Sequence, residues 1–175
     1  SQERFEGLGC TVIREAARFE DRDTVVTDSA RVKARRIIVA TGSRAFIPPI
    51  PGRAELPYLT NETLFTLTEL PKRLAVIGAG PIGCEMAQSF ARFGSEVFLV
   101  EALHGILPRE DQDASMIVLE RMKRDGVKLL CCGKDLKLMK DPNGVRLRVE
   151  SHGKGYDVLV DQLLVAVGRA PNVEG

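Results

Sequence analysis

The glycine-rich run Gly78-Ala79-Gly80-Pro81-Ile82-Gly83 constrains this chain more than any other feature, because of what flanks it. It follows the apolar run Leu74-Ala75-Val76-Ile77, which predicts a strand, and it opens a segment whose apolar residues Ile82, Met86, Phe90 and Phe93 recur at helical spacing, predicting one buried stripe ended by Gly94. Val97-Phe98-Leu99-Val100 predicts a second strand that ends at Glu101. Strand, helix and strand in this order form a crossover unit, and its right-handedness makes the two strands parallel neighbours. A lone GxGxxG is a weak signal, whereas the same glycines between a strand and a helix, with an acid about 20 residues on, form a dinucleotide fingerprint.

Each residue of the fingerprint has a physical task. Gly78 permits the tight turn, Gly80 lets the backbone approach a pyrophosphate, and Gly83 lets the helix pack closely on the sheet. Pro81 and Ile82 form the first helical turn; proline costs nothing there, and the unpaired amides and helix dipole favour phosphate. Glu101 can accept hydrogen bonds from both adenosine ribose hydroxyls and would repel a 2′-phosphate, which predicts NAD rather than NADP. His104 and Arg109, just downstream, are read as solvated loop residues.

Around this unit the pattern is less regular. Cys10 to Arg14, Ala17 to Glu20, Thr24 to Thr27 and Arg31 to Ala40 read as short strands, the last ending in an apolar stretch from Ile37 that suits a strand covered on both faces. Deprived of neighbours, that stretch would expose unpaired backbone groups and apolar side chains. Ile47-Pro48-Pro49-Ile50-Pro51-Gly52 reads as an extended connector, and Asn61 to Leu70 as a short helix. A second helix is expected from Asp111 to Asp125, and a third parallel strand from Val127 to Cys132. Leu136 to Lys140, Val145 to Glu150 and Asp157 to Val160 read as antiparallel strands, and Leu163 to Val167 as a final apolar strand.

Composition narrows the function classes. A net charge of +1 carries no electrostatic footprint for nucleic acid or an anionic membrane, and no apolar stretch is long enough to span a bilayer, so neither partner is expected and a cytoplasmic location is. Cys10, Cys84, Cys131 and Cys132 include no CxxC, and only two histidines are present, so no metal site is expected. Cys131 and Cys132 are adjacent at a strand end and, like Cys84, read as structural thiols.

Gly78-x-Gly80-x-x-Gly83-x-Glu85, the strand end Ala40-Thr41-Gly42-Ser43 before a proline-rich stretch, and Gly168-Arg169-Ala170-Pro171-Asn172 stand in an order that resembles the FAD-dependent pyridine nucleotide-disulfide oxidoreductases, in particular dihydrolipoamide dehydrogenase-like and mercuric reductase-like members. The resemblance covers nearly the whole chain and implies only the middle of such an enzyme. By it, residues 1–44 are a partial FAD-domain β segment, 45–59 a proline-rich connector, 60–170 an NAD-binding domain and 171–175 the return toward the FAD domain. The fold class expected is α/β: a Rossmann-like domain with a parallel sheet and β-meander, preceded by the FAD-domain segment.

The resemblance also implies roles. Glu85 would lie on the nicotinamide side, Gly168 would allow close approach of the nicotinamide ribose, and Thr41 and Gly42 would meet the flavin nucleotide or the domain junction. The redox cysteine pair of such enzymes, spaced Cys-x-x-x-x-Cys, is absent from these residues. The expected partners are NAD(H) and the remainder of a homodimeric parent that binds FAD and passes electrons between NADH and a disulfide or mercuric ion. The chain alone is expected to be inactive. Glu101, where mercuric reductases tend to carry a basic residue, points to the dihydrolipoamide dehydrogenase-like branch. A non-catalytic dinucleotide-sensing module and an NADH peroxidase-like or ferredoxin reductase-like flavoenzyme remain alternatives.

Overall fold

The computed structural model describes residues 1–174, which divide into two compact units, Ser1–Thr41 and Gly42 onward. In the first unit, α1 (Gln2–Glu6) precedes an antiparallel meander of β1 (Arg18–Phe19), β2 (Thr24–Val26) and β3 (Arg31–Lys33). The Glu15 carboxylate closes the β2–β3 turn from outside, accepting from the Ser29 amide at 3.0 Å and the Ser29 hydroxyl at 2.6 Å. Two expectations fail here. Cys10 to Arg14 forms no strand, and Ile37 to Ala40 is irregular, with Ile38 91% exposed. The reason is the one that makes β structure non-local: a strand exists only when a neighbour takes its amides and carbonyls.

The second unit begins with β4 (Ser43–Ala45) and continues through β5 (Arg73–Ile77), α2 (Pro81–Phe93), β6 (Glu96–Val100), α3 (Gln112–Arg124) and β7 (Lys128–Leu130). Then come β8 (Lys134–Asp141), β9 (Gly144–Ser151), β10 (Lys154–Val160), β11 (Gln162–Val165) and β12 (Arg169–Pro171). β11, β5, β6 and β7 form a parallel sheet in that order, while β10, β9 and β8 form an antiparallel one. The mixed α/β architecture and its parallel crossover are those expected.

Strand alternation decides how the layers stack. Ala75 and Ile77 of β5 join Val100, Leu147, Leu163 and Val165 in a core against the antiparallel sheet. Leu74 and Val76 face the other way, toward Cys84 and Ala87 of α2 and Met122 of α3. The parallel sheet is therefore covered on both faces, which is why its strands read as continuous apolar runs.

Three local differences from the sequence reading have physical causes. The buried side of α2 is Gly83, Cys84 and Ala87, whereas Phe93 is 67% exposed, because the close approach at Gly83 favours small residues under the helix. Residues 61–70 form only a 3-10 turn, Leu64–Thr66, with Leu64 buried. The proline-rich stretch is part of the second unit: Leu56 is buried in the core, the Leu138 amide donates to the Pro51 carbonyl at 2.9 Å, and Leu59 donates to Leu163 at 2.7 Å. The helix expected from Asp111 to Asp125 is α3, with Asp111 as its N-cap, the carboxylate accepting from the amides of Asp113 and Ala114. No helix among the described residues is long and apolar enough to cross a membrane.

Candidate functional site

The fingerprint turn lies at the carboxyl edge of the parallel sheet, where the chain leaves β5 toward α2 and β6 on one side while β11 occupies the other. That reversal of direction is where open α/β sheets leave a crevice. A cleft of about 700 Å³ opens there, lined by Gly78, Gly80, Pro81, Ile82, Glu101 and Gly168 among others.

The three glycines answer to different demands. Gly78 has φ +102°, and a Cβ on it would sit 2.6 Å from the Ala166 carbonyl oxygen, so both backbone and neighbour require glycine. A Cβ on Gly83 would stand 1.9 Å from the Gly78 oxygen, so the first turn of α2 can rest on the loop only without a side chain. Gly80 differs. Its backbone is extended, with φ −75° and ψ −177°, and a Cβ there would meet nothing within 4 Å. Neither backbone strain nor a neighbouring atom requires glycine at that position.

The first hydrogen bond of α2 runs from the Cys84 amide to the Gly80 carbonyl at 2.9 Å, so the amides of Ile82 and Gly83 precede the intrahelical ladder. Such amides at the positive end of a helix dipole suit a phosphate. The dinucleotide therefore fits the residues present: open space above Gly80, helix-start amides beside it, and a carboxylate beyond.

That carboxylate, Glu101, is built into the turn. Its Oε2 accepts from the Ala79 amide at 2.7 Å and its Oε1 from the Leu103 amide at 3.0 Å. Each oxygen keeps a second lone pair for a hydroxyl donor. Glu101 thus ties the fingerprint turn to the end of β6, a structural duty that its place at a strand end did not reveal.

The other anticipated residues are distributed unevenly. Gly168, at φ +127° with open space where a Cβ would be, lines the cleft. Glu85 does not; it is exposed and borders a smaller hollow with Gln88 and Glu110, because two residues beyond Gly83 the helix has turned to its opposite face. Gly42, at φ +76°, accepts a hydrogen bond from the Asn172 amide at 3.0 Å, and Thr41 ends the first unit. Neither lines the cleft. Arg169 donates through Nε to the Ser43 hydroxyl at 2.7 Å, clasping the antiparallel pair β12–β4.

Sequence reading missed several cleft residues. Arg109, an exposed loop residue as read, also lines the cleft, as do Phe46, Pro48 and Ile50 from the stretch read as a connector. No periodicity marks them, since an extended proline-rich segment carries no face signal. Cys84 behaves as read: its thiol contacts the Ala79 carbonyl oxygen at 3.3 Å, and burial pushes its pKa up to about 11, which leaves it unreactive at neutral pH.

Known proteins resemble this chain in sequence and fold. A mercuric reductase of Bacillus cereus is 33% identical over 95% of this chain and 26% of its own length, and a dihydrolipoyl dehydrogenase of Acholeplasma laidlawii is 33% identical over 90% of this chain and 47% of its own. The chain therefore spans less than half of either relative. The solved structure of the HOCl-induced flavoprotein disulfide reductase RclA from Escherichia coli superposes with a TM-score of 0.74 at 30% identity, over 97% of this chain and 40% of that one. Residues 4–175 match the family described as pyridine nucleotide-disulphide oxidoreductase, and with the fingerprint turn, the parallel sheet and these relatives in agreement, the chain belongs to that family.

Proposed function

We propose that residues 60–170 are the NAD(H)-binding portion of an FAD-dependent oxidoreductase that passes electrons between NADH and a disulfide, or mercuric ion, through flavin. In this reading residues 1–44 are part of the parent's FAD domain, the parent is a homodimer, and the chain by itself does not turn over. The mercuric reductases and dihydrolipoyl dehydrogenases among its relatives support the reaction class, as does the flavoprotein disulfide reductase.

The observation that carries the reading is Gly80, where neither backbone strain nor any neighbouring atom excludes a side chain. A pyrophosphate resting on the backbone excludes one instead. The amides of Ile82 and Gly83 would hold the phosphates, Glu101 would orient the adenosine ribose, and the absent side chain at Gly168 would leave room for the nicotinamide end. When bound, the nicotinamide supplies the hydride. Glu85, exposed on α2 and without a hydrogen bond or ion pair among the described residues, is free to meet the parent's flavin side.

Two measurements test this. Calorimetry should find NADH binding more tightly than NADPH, because Glu101 repels a 2′-phosphate; the reverse order would remove the case for NAD. Gly80→Ala should change the melting temperature little, since the unfolded-state entropy it trims, about 0.4–1 kcal/mol, is offset by alanine being a poorer N-cap than glycine. It should also weaken NADH by at least about tenfold, or about 1.4 kcal/mol. Unchanged affinity would show that no ligand approaches there.

A further inference from the structure

We infer that His104, Cys131, Cys132 and His152 form a structural zinc site, although their spacing along the chain gave no reason to expect a metal. Three separate segments bring them together: the loop after β6, the end of β7, and the β9–β10 hairpin turn. One donor atom from each residue lies within 4.8 Å of all the others. Cys131 Sγ is 3.2 Å from His152 Nε2, and Cys132 Sγ is 3.4 Å from His104 Nδ1. A tetrahedral zinc ion with bonds of about 2.0–2.3 Å to nitrogen and sulfur holds its ligands about 3.3–3.8 Å apart. The observed pairs are already near that spacing. The two imidazole rings stand at 89° to one another with centroids 6.0 Å apart, so they approach the centre from different directions rather than stacking.

The donor set selects the ion. Two thiolates and two neutral imidazoles suit a four-coordinate, borderline-soft cation, and two thiolates cancel the charge of Zn²⁺. On binding, the two thiols lose their protons to solvent as two Zn–S bonds form, while the imidazoles contribute lone pairs; no electron is transferred. Four protein donors leave no open position, so the role is structural.

The frame around the cluster is fixed without the metal. The Ser151 hydroxyl donates to the Cys131 carbonyl at 2.6 Å, the Cys132 amide to the Leu103 carbonyl at 2.9 Å, and the Gly133 amide to the Glu101 carbonyl at 2.8 Å. Cys132 and His152 have φ of 54° and 51°, both in the left-handed region. His152 and Gly153 form the two-residue turn of the hairpin, where Asn-Gly is the usual choice; histidine there puts a ligand at the tip. Zinc would therefore staple the hairpin of the antiparallel sheet to the loop that follows Glu101. None of the four ligands lines the fingerprint cleft, so the zinc site stands apart from dinucleotide binding.

The test uses the whole chain, held reduced by a phosphine, stripped with a chelator and titrated with zinc alone. One equivalent should bind and raise the melting temperature, and cobalt in its place should give the intense visible bands of a tetrahedral, thiolate-ligated ion. His104→Ala combined with His152→Asn, both at exposed positions and the second tolerant of the left-handed turn, should weaken zinc by at least about tenfold and abolish the thermal shift. Binding below one equivalent, a weak octahedral cobalt spectrum, or a double variant that binds zinc as tightly as the parent would overturn the proposal. The cobalt spectrum of the unsubstituted chain decides even if the variant fails to fold.

Discussion

Arg36-Ile37-Ile38-Val39-Ala40 and Arg73-Leu74-Ala75-Val76-Ile77 are close to interchangeable in composition, each an arginine followed by four apolar residues and then a glycine-containing turn. The second is the central strand of a parallel sheet, with Leu74, Ala75 and Val76 wholly buried. The first is irregular, and Ile38 is 91% and Val39 57% exposed. The difference lies in the partners. β5 has β6 on one side and β11 on the other, with side chains covering both faces. Arg73 is anchored by Asp161, whose carboxylate accepts from its amide at 2.8 Å and its Nε at 3.2 Å. Among the described residues Arg36 forms no such pair. Apolar composition is thus permission for a strand, and hydrogen-bonding neighbours are what produce it.

Four measurements would break or sharpen this contrast. The largest effect is expected for Val76→Asp, which puts an unpaired charge between two covered faces and should cost more than about 4 kcal/mol, enough to unfold the second unit in chemical denaturation. Gly83→Ala should follow: its methyl would press on the Gly78 carbonyl, and relieving that overlap should lower stability by about 2–3 kcal/mol. A Gly83→Ala chain as stable as the parent would mean that the helix does not rest on the turn.

Asp161→Asn should cost about 1 kcal/mol, since the pair it breaks is part-exposed. Its pH dependence is specific. The Arg73 side chain, together with its backbone amide, holds the Asp161 carboxyl below its ordinary value of 3.8. A lowered folded-state pKa contributes stability that is fully present above the unfolded value and is lost as pH falls through the folded one. Acid titration should therefore show the parent losing more stability below about pH 4 than the variant, and parallel curves would remove Asp161 from the account.

The smallest effect belongs to Ile38→Ser, expected within about 0.5 kcal/mol of the parent, because nothing covers Ile38. Hydrogen exchange on the same sample should protect Leu74 to Ile77 and leave Ile37 to Ala40 fast. A large loss from Ile38→Ser, or protection at Ile38, would show that the two runs are not different after all.

Much of the fold was legible because the relevant signals are local. Helix α2, its Gly94 cap, the extent of α3 and the two hairpins all follow from periodicity and turn chemistry within short windows. The buried side of α2 was not, since its apolar stripe ran through Phe93 while the requirement for small residues came from the Gly78 carbonyl across a turn. The candidate site divided similarly. Gly78, Gly80, Gly83 and Glu101 announced themselves by order, whereas Phe46, Pro48 and Arg109 reach the cleft only through folding.

By itself the sequence determined the strand–turn–helix unit, because three glycines between an apolar run and an amphipathic one leave few backbone geometries. It also determined membership of a family whose motifs keep a fixed order. Only the tertiary structure decided which of two similar apolar runs became a strand, that Glu101 ties the turn together, and that His104, Cys131, Cys132 and His152 meet. Such outcomes depend on which distant segments approach one another, and no spacing along a chain encodes a distance through space.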